Sequence, residues 1–353
     1  MPIFSSMQIK EITVPGYERI VQGTDEAAGY RGIVFIHSTV LGPAVGGTRF
    51  WKYASEGEAI TDGLRLSKGM TYKNALAGLP CGGGKSIILR QPDEPDREKL
   101  FHAHGRLVNT LGGKYITAED VGTSPSDMEF ILKETQHVAG LQGRSGDPSP
   151  KTARGVFRAM QAAAKFMWGS DDLAGKTVAI QGCGHVGYYL AFELARVGAK
   201  IAATDVDEGK LNRVVHEFGA RALKPEDILA AGADILAPCA MGGILNDESI
   251  PRLKVKMVVG GANNQLLDQQ RHGEMLRERR ILYAPDYAAN AGGVINGSCR
   301  ELLGWDEQRT LAKVDAIYDT LMNIFEVARR EKIMTTEAAD RLVEKILAEG
   351  QRA

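Results

Sequence analysis

Short apolar runs bounded by polar and turn residues recur along the chain. In its first part, Arg31–Thr39 (RGIVFIHST), Lys85–Arg90 (KSIILR) and Lys114–Val121 (KYITAEDV) read as strands set among helical segments, which predicts a mixed α/β unit. Ser55, with Glu58 three residues on, forms a capping box ahead of AITDGLRLSKGM, so a helix is expected to carry the chain towards Lys73.

At LQGRSGDPSPKTARG the pattern gives way to Gly, Ser, Pro and Asp, and the prolines flanking Ser149 oppose a continuous helix. A domain boundary is expected there. Beyond it, apolar strands (KTVAIQ, KIAATD, ADILAPCA, KMVVGG, ILYAPDY) alternate with helical stretches such as YYLAFELARVGA and EGKLNRVVHEFGA. That alternation predicts a doubly wound parallel sheet. Leu311, Val314, Tyr318, Leu321, Phe325 and Ala328 then recur at helical spacing, and TTEAADRLVEKILAEG follows as a second amphipathic helix. The expected organisation is an α/β domain over residues 1–148, a doubly wound domain over 149–325, and helices over 326–353 that pack back on the first.

Composition narrows the class. The 353 residues are 44% hydrophobic and 25% charged, with 43 basic against 44 acidic side chains, as in an ordinary globular protein. A formal net charge of -1 leaves no footprint for nucleic acid or an anionic membrane. Cys81, Cys183, Cys239 and Cys299 lack metal-ligand spacing, so free thiols, a reducing cytoplasmic compartment and no bound metal are expected. The opening residues show no leader pattern, and no apolar run is long enough to span a membrane.

Between the strands KTVAIQ and KIAATD, Gly182, Gly184 and Gly187 stand in G-x-G-x-x-G spacing, directly after a strand and before a helix. In that setting the glycines permit a tight turn, approach of backbone amides to a pyrophosphate, and close packing of helix on strand. The helix N-terminus offers its free N–H groups to the phosphates. Asp205, 23 residues beyond Gly182, ends the second strand, where a carboxylate accepts ribose hydroxyls and repels a 2′-phosphate. NAD is therefore expected over NADP.

The stretch GLPCGGGKSIIL resembles a phosphate-binding loop. A Walker loop needs a glycine six positions before its lysine, where Leu79 stands, and it must open a helix rather than the strand KSIIL. Lys85 is thus aimed from a strand. Its apolar, glycine-rich surroundings would desolvate it and lower its pKa towards the range of a proton carrier. Lys73 and the acidic pair Glu119–Asp120 are the other charged candidates.

These residues carry a resemblance. LGPAVGGTRFW, LSKGMTYKNALAGL, GGGKSIIL, GGKYITAEDVGT, GDPSPKTARGVFRAM, DILAPCAMGGILND, GGANNQL and ILYAPDYAANAGGVIN, in that order, are similar to the amino acid dehydrogenases of the glutamate, leucine, phenylalanine and valine superfamily. The leucine/valine branch is the nearer. The resemblance implies NAD-dependent, reversible oxidative deamination of an L-amino acid to the 2-oxo acid and ammonium, on a Rossmann domain facing a substrate-binding and oligomerisation domain. It gives Lys85 and Asp120 the catalytic roles, Lys85 activating water and Asp120 shuttling protons at the amino group. It gives Lys73 the substrate carboxylate, Gly47 a backbone contact, and Asn263 and Asn290 hydrogen bonds to substrate. To the cofactor it gives Arg49, Thr152, Gly182, Cys183, Gly184, His185, Val186, Gly187, Asp205, Cys239, Ala240, Ala262 and Asn263. A homo-oligomer assembled through the first domain is also implied.

By the same resemblance the side-chain pocket is supplied by Val45, Gly46, Met70, Ala118, Val294 and Gly297. All are small or aliphatic, and a buried substrate carboxylate would lack a basic partner among them, so an apolar side chain is expected rather than glutamate's. Gly297 departs from the bulkier residue of the leucine and valine enzymes. It widens the choice from leucine, isoleucine and valine to phenylalanine or tryptophan. The short LQGRSGDPSP segment also departs from a longer loop in the family. Outside this class, the competing readings are a P-loop nucleotidase and an NAD-binding protein without catalysis.

Overall fold

The structure, a computed structural model, describes residues 7–90 and 96–352. It forms two compact units. The first holds the described residues through Gly146 together with Gly297–Trp305 and those from Lys345 on; the second holds Asp147–Asn296 and Asp306–Glu344.

The first unit is built on strands β1 (Gln8–Ile12), β2 (Arg19–Asp25), β3 (Tyr30–Ser38), β4 (Ala44–Trp51), β5 (Gly82–Leu89) and β6 (Tyr115–Glu119), with helices α1 (Glu56–Leu76), α2 (Arg97–Asn109) and α3 (Pro125–Leu132). The sheet order is β1-β2-β3-β5-β4-β6. Strands β1, β2, β3 and β5 pair antiparallel, while β4 pairs parallel with both β5 and β6. The central Gly46–Gly47 of β4 has little strand propensity of its own. It is a strand because neighbours on both sides take its backbone groups.

Helix α1 starts where the capping box predicts: the Ser55 hydroxyl accepts the Glu58 amide at 3.1 Å, and the Glu58 carboxylate accepts the Ala54 amide at 2.9 Å. Lys73 lies in its last turn, rather than beyond its end. Ala59, Gly63, Ser67, Thr71 and Ala75 are buried at four-residue spacing, so a row of small residues lets the helix lie close on the sheet. On the other sheet face, Leu100, Phe101, Leu107, Tyr115, Met128 and Ile131 build the main core with α2 and α3.

The second unit has strands β7 (Thr177–Gln181), β8 (Lys200–Thr204), β9 (Arg221–Ala222), β10 (Ile235–Pro238), β11 (Met257–Val258) and β12 (Leu282–Tyr283), in the order β12-β11-β10-β7-β8-β9. All five pairings are parallel, the doubly wound arrangement the alternation predicted. Its helices are α4 (Ser149–Trp168), α5 (His185–Arg196), α6 (Glu208–Phe218), α7 (Gln269–Glu278), α8 (Asp286–Ala289), α9 (Gly292–Gly297), α10 (Glu307–Asp315), α11 (Ile317–Glu331) and α12 (Thr335–Gly350). Pro150 sits in the first turn of α4, where its missing N–H costs nothing. The sheet reverses direction of growth between β7 and β10, and the carboxyl ends of those strands are where α/β proteins bind ligands.

The C-terminal helices depart from expectation in two ways. The single helix expected over 311–328 is broken at Ala316 into α10 and α11. The helices from 306 to 344 belong to the second unit and only residues from 345 to the first, whereas everything from 326 was expected there. Contacts beyond 325 hold these helices in the second unit: Arg329 lies over the Phe166 ring of α4, Met334 lies against Gly273 of α7, and the Tyr287 hydroxyl of α8 donates to Asp340 at 2.6 Å. The last turn of α12 instead lies close to Val40 and Leu41. Among the described residues no helix is long and apolar enough to cross a membrane, and no group of three His, Cys, Asp or Glu could hold a metal ion.

Candidate active site

In the first unit, three strands bring the charged candidates together. Lys85 in β5 is 6% exposed, and its Nζ lies 2.8 Å from Oδ2 of Asp120, just past the end of β6. Arg49 of β4 donates from Nε to the same oxygen at 3.0 Å and from Nη1 to Asp62 of α1 at 2.9 Å. The Tyr53 hydroxyl donates to that Asp62 oxygen at 2.6 Å. The result is a chain of alternating charge: Lys85, Asp120, Arg49, Asp62. Burial pushes the Lys85 ammonium below its ordinary pKa, although Asp120 pulls the other way. For Asp120, burial opposes ionisation, but Lys85 and Arg49 outweigh it and hold the carboxyl below its usual range. The result is a lysine more acidic than an exposed one, beside a carboxylate that ionises more readily than usual.

Gly47 makes the assembly possible. A Cβ there would lie 2.5 Å from the Glu119 carbonyl oxygen and 2.8 Å from Cβ of Asp120, so only glycine lets β4 pass close to the Asp120 turn. The Thr123 hydroxyl fixes that turn by accepting from the Asp120 amide at 2.8 Å. Val45 and Gly46 of β4, Met70 and Lys73 of α1, Ala118 of β6 and Gly297 all belong to this unit. Arg49, expected near the cofactor, is here held by the two carboxylates of its own unit.

Sequence reasoning passed over Asp62 and Tyr53, and also a polar network inside the sheet. Thr48, Ser86, His104 and Thr117 are completely buried, as is Tyr115. His104 Nε2 contacts the Thr48 and Ser86 hydroxyls at 3.0 and 3.1 Å, and its Nδ1 lies 2.8 Å from the Tyr30 hydroxyl. Thr48 also joins Thr117, and Tyr115 donates to the Gly46 carbonyl at 2.5 Å. Side chains alternate across a strand, so Ser86 ties β5 from the face opposite Lys85. The network clamps β4, β5 and β6 behind the charged chain.

Burial lowers the His104 pKa from 6.5 to about 3. Between those values the unfolded chain binds a proton that the folded one refuses. Stability present above pH 6.5 is therefore lost on acidification, at up to about 1.4 kcal/mol per pH unit. His37, lowered to about 4 by burial and Lys68, adds the same sign. Urea unfolding between pH 7 and 4 should show a shallower pH dependence for His104→Gln; an unchanged slope would mean the imidazole protonates inside the fold.

In the second unit the glycine turn leads from β7 into α5, with Gly184 as N-cap. Asp205, following β8, accepts the Cys183 amide on one oxygen at 2.6 Å and the Asp207 amide on the other at 2.8 Å. The other expected cofactor residues gather here. Ala240, past the end of β10, abuts Gly182, and Val186 and Cys239 approach Gly261. Asn290 donates to Asn263 Oδ1 at 2.7 Å and, more weakly, to the Ala262 carbonyl at 3.4 Å. Thr152 lies in α4 against Gly293 of α9, the helix that also carries Val294. Burial pushes the Cys183 and Cys239 thiols up, to about 12 and about 11, so neither is a thiolate at neutral pH.

This turn fits a dinucleotide. Space is open where a side chain at Gly184 would stand, free amides sit at the start of α5, and a cavity of about 240 Å³ is lined by Cys183, Gly184, His185, Lys210 and Arg213. Oδ1 of Asn290 is buried and meets no donor among the described residues, an acceptor still to be satisfied. The GGGKS stretch, by contrast, lies wholly within β5 and leads into no helix, which excludes a P-loop.

Comparison with known proteins agrees with both units. Residues 17–137 match the family model described as Glu/Leu/Phe/Val dehydrogenase, dimerisation domain, and residues 143–214 and 201–350 match that described as Glutamate/Leucine/Phenylalanine/Valine dehydrogenase. A leucine dehydrogenase of Thermoactinomyces intermedius is 52% identical over 332 residues, covering 93% of this chain and 90% of that one. The crystal structure of L-tryptophan dehydrogenase from Nostoc punctiforme superposes with a TM-score of 0.86 at 41% identity, over 96% of this chain and 98% of that one. A hetero-hexameric glutamate dehydrogenase from Thermus thermophilus shares the fold, with a TM-score of 0.76 at 21% identity over 98% and 89% of the two chains. The chain thus belongs to the glutamate/leucine/phenylalanine/valine dehydrogenase family.

Proposed function

We propose that this chain catalyses NAD-dependent, reversible oxidative deamination of an apolar L-amino acid, with leucine, isoleucine and valine foremost, to the 2-oxo acid, ammonium and NADH. The observation that carries the reading is the buried Lys85–Asp120 pair, with its lysine lowered and its carboxylate ionised. Replacing an amine by a carbonyl oxygen requires water to lose a proton and the departing nitrogen to gain one. Lys85 Nζ takes the proton from water and, once charged, polarises the new oxygen; Asp120 Oδ2 carries the proton exchanged with the amino nitrogen. Lys73 binds the substrate carboxylate, Gly47 offers its backbone, and Asn263 and Asn290 hydrogen-bond the substrate.

NAD, when bound, supplies the hydride acceptor. Gly182, Cys183, Gly184, His185, Val186 and Gly187 hold its phosphates, Asp205 its ribose hydroxyls, and Thr152, Cys239, Ala240, Ala262, Asn263 and Arg49 the remainder. The Asp205 carboxylate supports NAD over its 2′-phosphorylated form. Val45, Gly46, Met70, Ala118, Val294 and Gly297 line the side-chain pocket. The dimerisation description of the matching family model supports homo-oligomerisation through the first unit. Four free cysteines support a cytoplasmic setting.

The test is NADH formation with a panel of L-amino acids at alkaline pH; no reduction with any apolar member would overturn the proposal. Activity on glutamate alone would overturn the pocket assignment. An aromatic substrate is the second reading, favoured by one observation: a Cβ at Gly297 would meet nothing within 4 Å. Gly297→Val should therefore fold and shift relative kcat/KM towards smaller side chains by about tenfold. Unchanged ratios would remove Gly297 from the pocket.

A further inference from the structure

We propose that Asp62, on α1, is a positioning residue that sets the pH at which Lys85 gives up its proton, acting through Arg49. The inference rests on the deamination reading and extends it to a residue outside the reacting pair.

The geometry is a bridge. The Arg49 guanidinium has carboxylates on two sides, Asp120 at 3.0 Å on Nε and Asp62 at 2.9 Å on Nη1. Only the first of these touches Lys85, at 2.8 Å. With Asp62 in place, the positive charge of Arg49 is divided between two anions, and Asp120 keeps enough of its own charge to hold Lys85 protonated until a suitable pH. Without it, Arg49 would draw wholly on Asp120 and stand uncompensated near the ammonium. Both changes favour the neutral amine. The contribution of Asp62 to Lys85 has that sign, raising the lysine's pKa against burial and the repulsion of Arg49.

Other charges face this bridge. Glu58 and Arg65 of α1 line an open cavity of about 420 Å³ shared with Arg49, Tyr53 and Asp62. They project from the same helix as Asp62 but make no direct ion pair with it among the described residues. Tyr53 donates its hydroxyl to Asp62 and is held protonated there, by burial first and by the carboxylate second, so it does not titrate in the working range. That hydroxyl absorbs part of the Asp62 charge.

The experiment follows kcat for NAD reduction by leucine against pH, with NAD titrated into each variant by fluorescence. Wild-type turnover is established first; its absence would refute the deamination reading itself. Given an active wild type, Asp62→Asn should move the ascending limb of kcat to lower pH by about 0.5–1 unit. Asp62→Glu should restore it, and NAD affinity should be the same in all three. A limb that stays in place while kcat falls would overturn the proposal, because a merely structural residue lowers turnover without changing the titration. Should Asp62→Asn fail to fold, Tyr53→Phe carries the test. It strips a donor from Asp62 and leaves more carboxylate charge for Arg49, so the limb should move to higher pH; an unmoved limb there overturns the proposal as well.

Discussion

Lys85→Ala should lower kcat for amino acid oxidation by about a thousandfold or more while NAD affinity stays within about twofold of wild type. On the proposed mechanism the lysine takes the proton from the attacking water and, once charged, polarises the new oxygen, so its loss slows both the addition of water and the collapse that follows. The fold should survive. Asp120 keeps its bond to Arg49 at 3.0 Å, so no unpaired carboxylate is left behind. Lys85→Met fills the same volume without a charge and separates lost chemistry from a cavity. Turnover is read from NADH absorbance and cofactor binding from fluorescence; a loss below about tenfold would dismiss Lys85 as the proton carrier. Because Lys85 and Asp120 act as one unit, the double variant should be little slower than Lys85→Ala alone.

Gly187→Ala should weaken NAD binding by about tenfold or more and lower stability by about 1–3 kcal/mol. A methyl group at this third glycine overlaps the carbonyl oxygen of Gly182, whose φ of +99° is itself one that side chains avoid. What the methyl meets is backbone, which cannot swing aside as a side chain would, so α5 must lift away from β7. The amides at its N-terminus then leave the place where phosphates would meet them. Titration of NAD into the purified variant measures this directly, and an unaltered affinity would show that the turn does not hold the cofactor.

The parts of the fold that were legible in the sequence are those whose pattern is local. Ser55 and Glu58 announce α1, and alternating apolar strands and helices announce the parallel sheet, because capping and periodicity need no distant partner. β4 is not legible as a strand, because Gly46–Gly47 at its centre takes its extended form from β5 and β6 on either side. The glycines before Lys85 look in sequence like part of a phosphate loop. Gly83 in fact receives the backbone of Thr71, so it serves the packing of α1 on the sheet. Lys85 was legible as a desolvated lysine from its neighbours. Its partnership with Asp120, 35 positions away in sequence, depends on β4 lying between β5 and β6. Asp62 carried no signal, because a lone carboxylate on a helix does not disclose which cation it will meet. The break at Ala316 was equally hidden: the apolar spacing continues across it.

Asp205 has a consequence for anyone who would re-engineer the cofactor. Both its oxygens already accept backbone amides, Cys183 from the glycine turn and Asp207 from the start of the following helix. The side chain proposed to repel a 2′-phosphate is thus also the splint that sets the turn. Removing it to admit a phosphorylated dinucleotide would release two amides and slacken the seat for the pyrophosphate common to both cofactors. A successful switch of preference must rebuild that splint elsewhere before it adds a positive charge.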